Sequence, residues 1–178
     1  MSARASLRLL GAAGALAVAS LARADAPTCQ YSSFDSSEVV ITDNFTGLLW
    51  QRQVLPQHYE FQQAVDYCAA LSLGSYAHGW RVPSYKELLT LIDETPNFDY
   101  GDGLYKRIDG QAFGAIIGQN ATYTPVDTQY WTSSISPLDP SSAYTVDFKT
   151  GKAGTATSGT AIYVRCVHDG LITGNPCP

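Results

Sequence analysis

The 178-residue sequence lacks most of the signals that announce an enzyme. It contains no Gly-x-Ser-x-Gly, no His-Glu-x-x-His and no phosphate-binding glycine loop. Its three histidines, His58, His78 and His168, are scattered and have no ordered Ser or Asp partner of the kind a catalytic triad requires. There is no Cys-x-x-Cys and no neighbouring His pair, which argues against a zinc knuckle. Cations are scarce. Of 11 Lys plus Arg, three (Arg4, Arg8 and Arg23) fall in the first 24 residues, so the rest of the chain sets 8 against 16 Asp plus Glu, a formal net charge of −8. That balance argues against nucleic acid and against anionic lipid surfaces as partners. There is also no internal repeat, no charge block and no second long apolar run, so membrane insertion is not expected.

The one apolar run, Leu9 to Leu21, follows two early cations and leads to Ala22-Arg23-Ala24, a small-x-small cleavage site. It is shorter than the about 20 residues a spanning helix needs. Residues 1–24 therefore read as a signal peptide, short and Ala-rich in the bacterial manner. The mature chain is expected to start near Asp25 and to be exported to the periplasm or the exterior. No lipid-attachment cysteine follows the leader, because Ala26-Pro27-Thr28 precedes Cys29. Residues 25–178 suit one domain, given a usual size of roughly 100 to 150 residues.

Four cysteines are present, Cys29, Cys68, Cys166 and Cys177. An even number in an exported chain reads as two disulfides, with three pairings open. Val39 to Thr42, the turn Asp43-Asn44-Phe45-Thr46-Gly47 and Leu48 to Gln51 form a hairpin pattern. Phe61, Ala64, Val65, Cys68 and Leu71 then lie on one face of a helix. Ser84-x-x-Glu87 is a capping box that opens a second helix, with Leu88, Leu89, Leu91 and Ile92 on its apolar side and Pro96 at its end. Pro83 holds Val82 extended before it. Trp80 is expected to fill the corner between the two helices. Arg81 has two readings: a fork on backbone carbonyls, which we favour, or a clamp for a ligand carboxylate.

From Asn97 to Gln129 no period stands out, although Phe113, Ile116 and Ile117 suggest a small packed island. A loop region of this length in a compact domain usually carries function. The C-terminal third turns to strand: Tyr130 to Ser134, then Ala143 to Phe148, a turn at Lys149 to Lys152, and a last strand. In that last strand Ile162, Val164 and Cys166 share one face, and Tyr163, Arg165 and Val167 share the other. Thr155 to Thr160 reads as a short loop. The whole third reads as an antiparallel meander.

Four pieces in order carry a resemblance: Thr46-Gly47-Leu48-Leu49-Trp50-Gln51; Ala64-Val65-Asp66-Tyr67-Cys68; Gly79-Trp80-Arg81-Val82-Pro83-Ser84 with Glu87-Leu88; and Tyr130 to Ser134 with Tyr163-Val164-Arg165-Cys166. Over about Val39 to Val167 the chain resembles the bacterial domain family named for the C-terminal domain of the collagen-like adhesin Lcl. That family is similar in fold to C-type lectins and, more distantly, to sulfatase-modifying factors. The resemblance implies an α+β, C-type-lectin-like domain: two helices packed on a twisted antiparallel sheet, with a long irregular loop region and disulfide staples. It also implies the pairing Cys68 with Cys166, which leaves Cys29 for Cys177.

The motifs by which such lectins hold sugar through calcium are missing: Glu-Pro-Asn, Gln-Pro-Asp and Trp-Asn-Asp do not occur. Asn97, Asp99, Asp102 and Asp109 offer oxygens for a hard cation but lack the spacing of an EF-hand. No metal and no cofactor is expected. What remains is an aromatic and charged loop surface: Tyr100, Asp102, Tyr105, Arg107, Tyr123 and Trp131 are the candidate ligand-binding residues, able to stack on sugar rings and orient hydroxyls. Tyr130 and Trp131 also suit a role in packing the sheet. The expected function is a non-enzymatic recognition domain, binding a glycan or a surface protein without calcium. The alternatives are a sulfatase-modifying type of enzyme or accessory, and a structural module of a cell-surface assembly.

Overall fold

The computed structural model describes residues 27–32, 39–95, 97–99, 104–113 and 128–170, and of residues 97–99 and 104–106 the backbone alone. The expected signal peptide, residues 1–24, lies outside the described residues. Tyr31–Ser32 (β1) runs antiparallel to Val40–Asp43 (β2), with Tyr31 opposite Asp43. β2 is mostly β-branched and wholly buried. It turns through Asp43, whose Oδ1 accepts the amides of Phe45 (3.0 Å) and Thr46 (3.3 Å). Gly47, at φ +80°, then returns the chain into Leu48–Gln51 (β3). The hairpin is the one the sequence predicts.

Phe61–Ala70 (α1) buries Ala64 and Cys68, the centre of the expected apolar stripe. Trp80–Arg81 (β4) leads through Pro83 to Tyr85–Leu89 (α2). The capping box forms as read: the Glu87 amide donates to Ser84 Oγ (3.3 Å), and the Ser84 amide donates to Glu87 Oε2 (2.7 Å). The helix is shorter than its apolar pattern suggests. It stops at Leu89, and the buried Leu91 belongs to the turns that follow.

The region read as one irregular loop holds more order than expected. Asn97–Asp99 (β5) pairs with Leu104–Lys106 (β6), and Gly110–Phe113 (α3) follows, with Phe113 fully buried. Ile116 and Ile117 lie outside the described residues. Strands of three residues and a helix of four are too short to leave a period in the sequence. Gln129–Ile135 (β7), Ser142–Asp147 (β8) and Lys152–Thr157 (β9) make a three-stranded antiparallel sheet. β9 takes in Thr155 to Thr157, read as loop, while residues 158–160 form the expected turn. Its Ala and Gly carry little strand signal, and pairing with β8 along all six residues supplies what propensity does not.

The last strand also differs from expectation. Val167–Asp169 (β10) leaves the meander and inserts between β3 and β4, giving a second antiparallel sheet in the order β1-β2-β3-β10-β4. Residues 162–166 cross from one sheet to the other, bridging Tyr59 through Ile162 and Tyr130 through Tyr163. A crossing segment is covered on both sides, so all of Ile162 to Val167 is buried instead of one alternating face.

Two apolar clusters result, and the period of two along each strand sorts residues between them. Ile41, Trp50, Tyr130, Tyr163 and Val167 join Leu88, Ile108, Phe113 and Phe148. Their neighbours Val40, Leu49, Trp131, Ile162, Val164 and Cys166 join Ala64, Cys68, Trp80 and Val82. Trp80 thus packs on the α1 side, with its indole N–H donating to Tyr76 O (3.0 Å), while α2 sends Leu88 to the other cluster. A Cys68–Cys166 disulfide ties α1 to the crossing segment across 98 residues of chain. The pairing implied by the resemblance is therefore present. Its second bridge involves Cys177, which lies outside the described residues.

Candidate functional site

An open cleft of about 380 Å³ lies at one edge of the five-stranded sheet. Three pieces of chain wall it. The first is the segment entering β1, with Gln30, Tyr31 and Ser32; the second is Arg52, just past β3; the third is Asp109 and Gln111 at the start of α3. Asn44 in the β2–β3 turn fastens the first wall. Its side-chain N–H donates to Cys29 O (2.7 Å), its backbone amide to Gln30 O (2.7 Å), and its Oδ1 accepts from Ser32 Oγ (3.1 Å). The Tyr31 ring sits edge-to-face on Phe113 (5.0 Å), and its hydroxyl accepts from Gln30 Nε2 (3.0 Å). Asp109 caps α3, its Oδ1 accepting the amides of Gln111 (2.8 Å) and Ala112 (3.0 Å). Arg52 reaches across to the same helix, with Nη2 donating to Gln111 O (3.4 Å).

Behind this cleft sits Arg165, 1 % exposed. Nη1 donates to two carbonyls, Gln51 O (2.5 Å) and Arg52 O (2.7 Å). Its guanidinium lies over the Phe113 ring (4.8 Å) and near that of Tyr130 (5.9 Å), while Nε has no hydrogen-bond partner among the described residues. Burial pulls its pKa below the ordinary arginine value. Burial pushes the Tyr130 phenol up to about 12, against the pull of the Arg165 charge. Tyr31 is raised further, first by burial and then by the carboxylates of Asp43, Asp109 and Asp93, with Arg165 alone opposing. Arg165 therefore joins the walls: it holds the carbonyls that place Arg52, and it stacks on the α3 ring that supports Tyr31.

The residues expected to form the site fare differently. Tyr100, Asp102 and Tyr123 lie outside the described residues. Tyr105 sits on β6, opposite Phe98. Arg107 donates from Nη1 to Glu94 O (2.7 Å), and its stem lies under Gly151, where an added Cβ would approach Cδ to 2.7 Å. It buttresses the β8–β9 turn and does not line the cleft. Trp131 is corrected outright: it is fully buried, its indole N–H donates to Tyr59 O (2.7 Å), and Phe61 packs on it edge-to-face. It has no face to offer a ligand. Arg81 departs from both of its readings. Its fork grips the Glu87 carboxylate at 2.9 and 2.7 Å, and Nη2 also reaches Asp169 (2.6 Å). Burial works against this shift, but the Arg81 bonds hold the Glu87 carboxyl down at about 2.

Among the described residues no group of three His, Cys, Asp or Glu side chains is placed to hold a metal ion. Of the oxygens weighed for calcium, Asp109 spends Oδ1 on its cap. No helix among the described residues is long and apolar enough to cross a membrane. The cleft residues Tyr31, Arg52 and Gln111 escaped the sequence reading, and Asp109 was weighed there only as an oxygen for a hard cation.

A family model described as the Lcl C-terminal domain matches residues 39–168. The chain belongs to that family. The match takes in the hairpin, both longer helices, the disulfide and two walls of the cleft, and the first wall, at residues 30–32, precedes it. A comparison of this Lcl C-terminal domain with curated proteins finds no match.

Proposed function

We propose that this chain is an exported, non-enzymatic recognition domain of C-type-lectin-like fold, which binds a carbohydrate or another surface component in the cleft without calcium. The observation that carries the reading is the cleft itself. It is bounded by side chains that accept and donate hydrogen bonds, and it is anchored on the five-stranded sheet and α3. A small-molecule site needs that combination of concavity and a few fixed polar groups. The Cys68–Cys166 bridge and the leader-like residues 1–24 support export. The same bridge weighs against a sulfatase-modifying type of chemistry, since both of its sulfurs are committed and both cysteines are buried. The test is a glycan array probed with the folded chain and with Arg52→Ala. The expected result is saturable binding that survives a chelator and is lost in the variant. Binding that disappears with chelator, or that Arg52→Ala leaves intact, overturns the proposal.

A further inference from the structure

We infer that β9 is a dimerisation edge: it pairs antiparallel with β9 of a second copy of this chain, about a two-fold axis at Gly154, and joins two three-stranded sheets into one. The inference does not rest on the recognition reading above. The other edges of the two larger sheets are closed off. β1 is two residues long, and β4 is two residues long and runs on to Pro83. β7 shifts register between Trp131 and Ile135, and its outer side is already bonded: Trp131 N–H to Tyr163 O (2.9 Å), Tyr163 N–H to Gln129 O (3.1 Å) and Ser133 N–H to Pro83 O (2.7 Å). Short strands, proline and bulges are how sheets avoid pairing with other chains. β9 has none of these. It runs six residues without proline, in unbroken register with β8, and all but Ala156 are exposed. No strand lies beyond it among the described residues.

The bond from Ser158 N–H to Ser141 O (2.9 Å) fixes which backbone groups are open. Hydrogen-bonded pairs alternate along an antiparallel ladder, so Lys152, Gly154 and Ala156 turn their backbone toward β8, whereas Ala153, Thr155 and Thr157 turn theirs outward. Thr157 O is taken by Thr160 N–H (2.8 Å), which leaves Thr157 N–H and the outward groups of Ala153 and Thr155. A second β9 satisfies them. With Gly154 on the axis, Ala153 of each copy exchanges N–H and C=O bonds with Thr155 of the other. The occupant that suits this edge is the chain itself, because the edge offers little but backbone. A foreign strand is selected by pockets for its alternate side chains, and Ala153, Gly154 and Thr155 form none. The one charge of β9, Lys152, falls opposite Ala156 of the other copy, so like charges do not meet across the pair. Gly154 is accounted for as well. It lies outside the left-handed region, and an added Cβ would meet only Thr145 Oγ1, at 3.3 Å. In a strand without a bulge, a glycine suits the close approach of another backbone. The non-hydrogen-bonded pair at the axis brings Cα atoms to about 4.5 Å.

An edge of six residues buries less than the roughly 1,200 Å² of a stable complex, so the dimer is weak and forms with concentration. Two-fold pairing uses up the edge and stops growth at two copies. The experiment is sedimentation of the full chain, disulfide-bonded and treated with iodoacetamide so that no thiol links two copies, loaded from about 1 µM to about 1 mM. Wild type should pass from monomer to dimer across this range, and hydrogen exchange at the upper end should slow at the amides of Ala153 and Thr155. Thr155→Pro removes an outward N–H that β8 does not use; it should melt as wild type does and weaken association by about tenfold or more. Ala153→Lys, at an exposed position, should weaken association likewise and serves as the reading if proline disturbs β9. A wild type that stays monomeric to the top of the range, a dimer unchanged in both variants, or species that grow beyond the dimer overturns the inference.

Discussion

Glu87→Gln tests the corner that joins β4 to α2. The Glu87 carboxylate accepts three hydrogen bonds, two from the Arg81 fork and one from the Ser84 amide. Gln keeps one oxygen and turns an NH₂ toward the guanidinium. One charge-assisted bond is lost, worth about 1.5 to 3 kcal/mol in a buried setting. Both side chains are partly exposed, at 38 % and 23 %, so solvent screening cuts this to about 1 to 2 kcal/mol. For a domain of this size that is about 2 to 8 °C in melting temperature. The pH dependence gives the sharper signature. The Glu87 pKa is lowered in the fold, from an ordinary 4.5 to about 2. Its stabilisation is therefore full above about pH 4.5 and is lost as pH falls toward 2. Thermal melts of wild type and variant should differ at pH 7 and converge near pH 2. Equal stability at pH 7, or a gap that stays constant down to pH 2, would refute the claim that charge holds this corner.

Trp80→Ala should cost about 3 to 5 kcal/mol, since the indole is buried and its N–H is bonded, whereas Ser84→Ala should cost about 1 kcal/mol through the lost cap; urea titrations of both separate the two scales. Reducing Cys68–Cys166 releases a loop of 98 residues and should cost about 4 to 5 kcal/mol, checked by melting with and without reductant. Arg165→Ala strips the shared donor from two carbonyls and the cation from the Phe113 ring, and should destabilise by about 3 kcal/mol; an unchanged urea midpoint would show that the arginine is idle.

The parts of the fold written in local patterns were legible. The hairpin around Asp43 to Gly47, the α1 stripe and the Ser84–Glu87 box each satisfy their own hydrogen bonds within a few residues, so their chemistry shows in a short window. What escaped was set by distant neighbours. β9 is a strand because β8 lies beside it. β10 inserts between β3 and β4, pairing Val167 with Trp50 and with Arg81, partners 117 and 86 residues earlier that leave no local signal.

The same contrast explains why the cleft is not legible in the sequence. Exposed-looking tyrosines in a Gly- and Asp-rich stretch suggested a binding loop, and Trp131 was drawn into that set by its chemistry alone. A tryptophan on a strand belongs to whichever side buries it, and β7 has a cluster on each side: Tyr130 enters one and Trp131 the other. The cleft, in contrast, is made from residues far apart in sequence, Tyr31, Arg52 and Asp109, each ordinary in its own window. Their common support did leave a mark. Arg165 stands between Val164 and Cys166 in an otherwise apolar run, and a cation there must either face water or find carbonyls to bind. It finds those of Gln51 and Arg52, at the end of the predicted hairpin. A buried arginine that bonds backbone, and not a carboxylate, fixes the position of that backbone. Here the backbone it fixes carries Arg52 into the cleft, so the most anomalous residue of the crossing segment is the one that points back to the cleft.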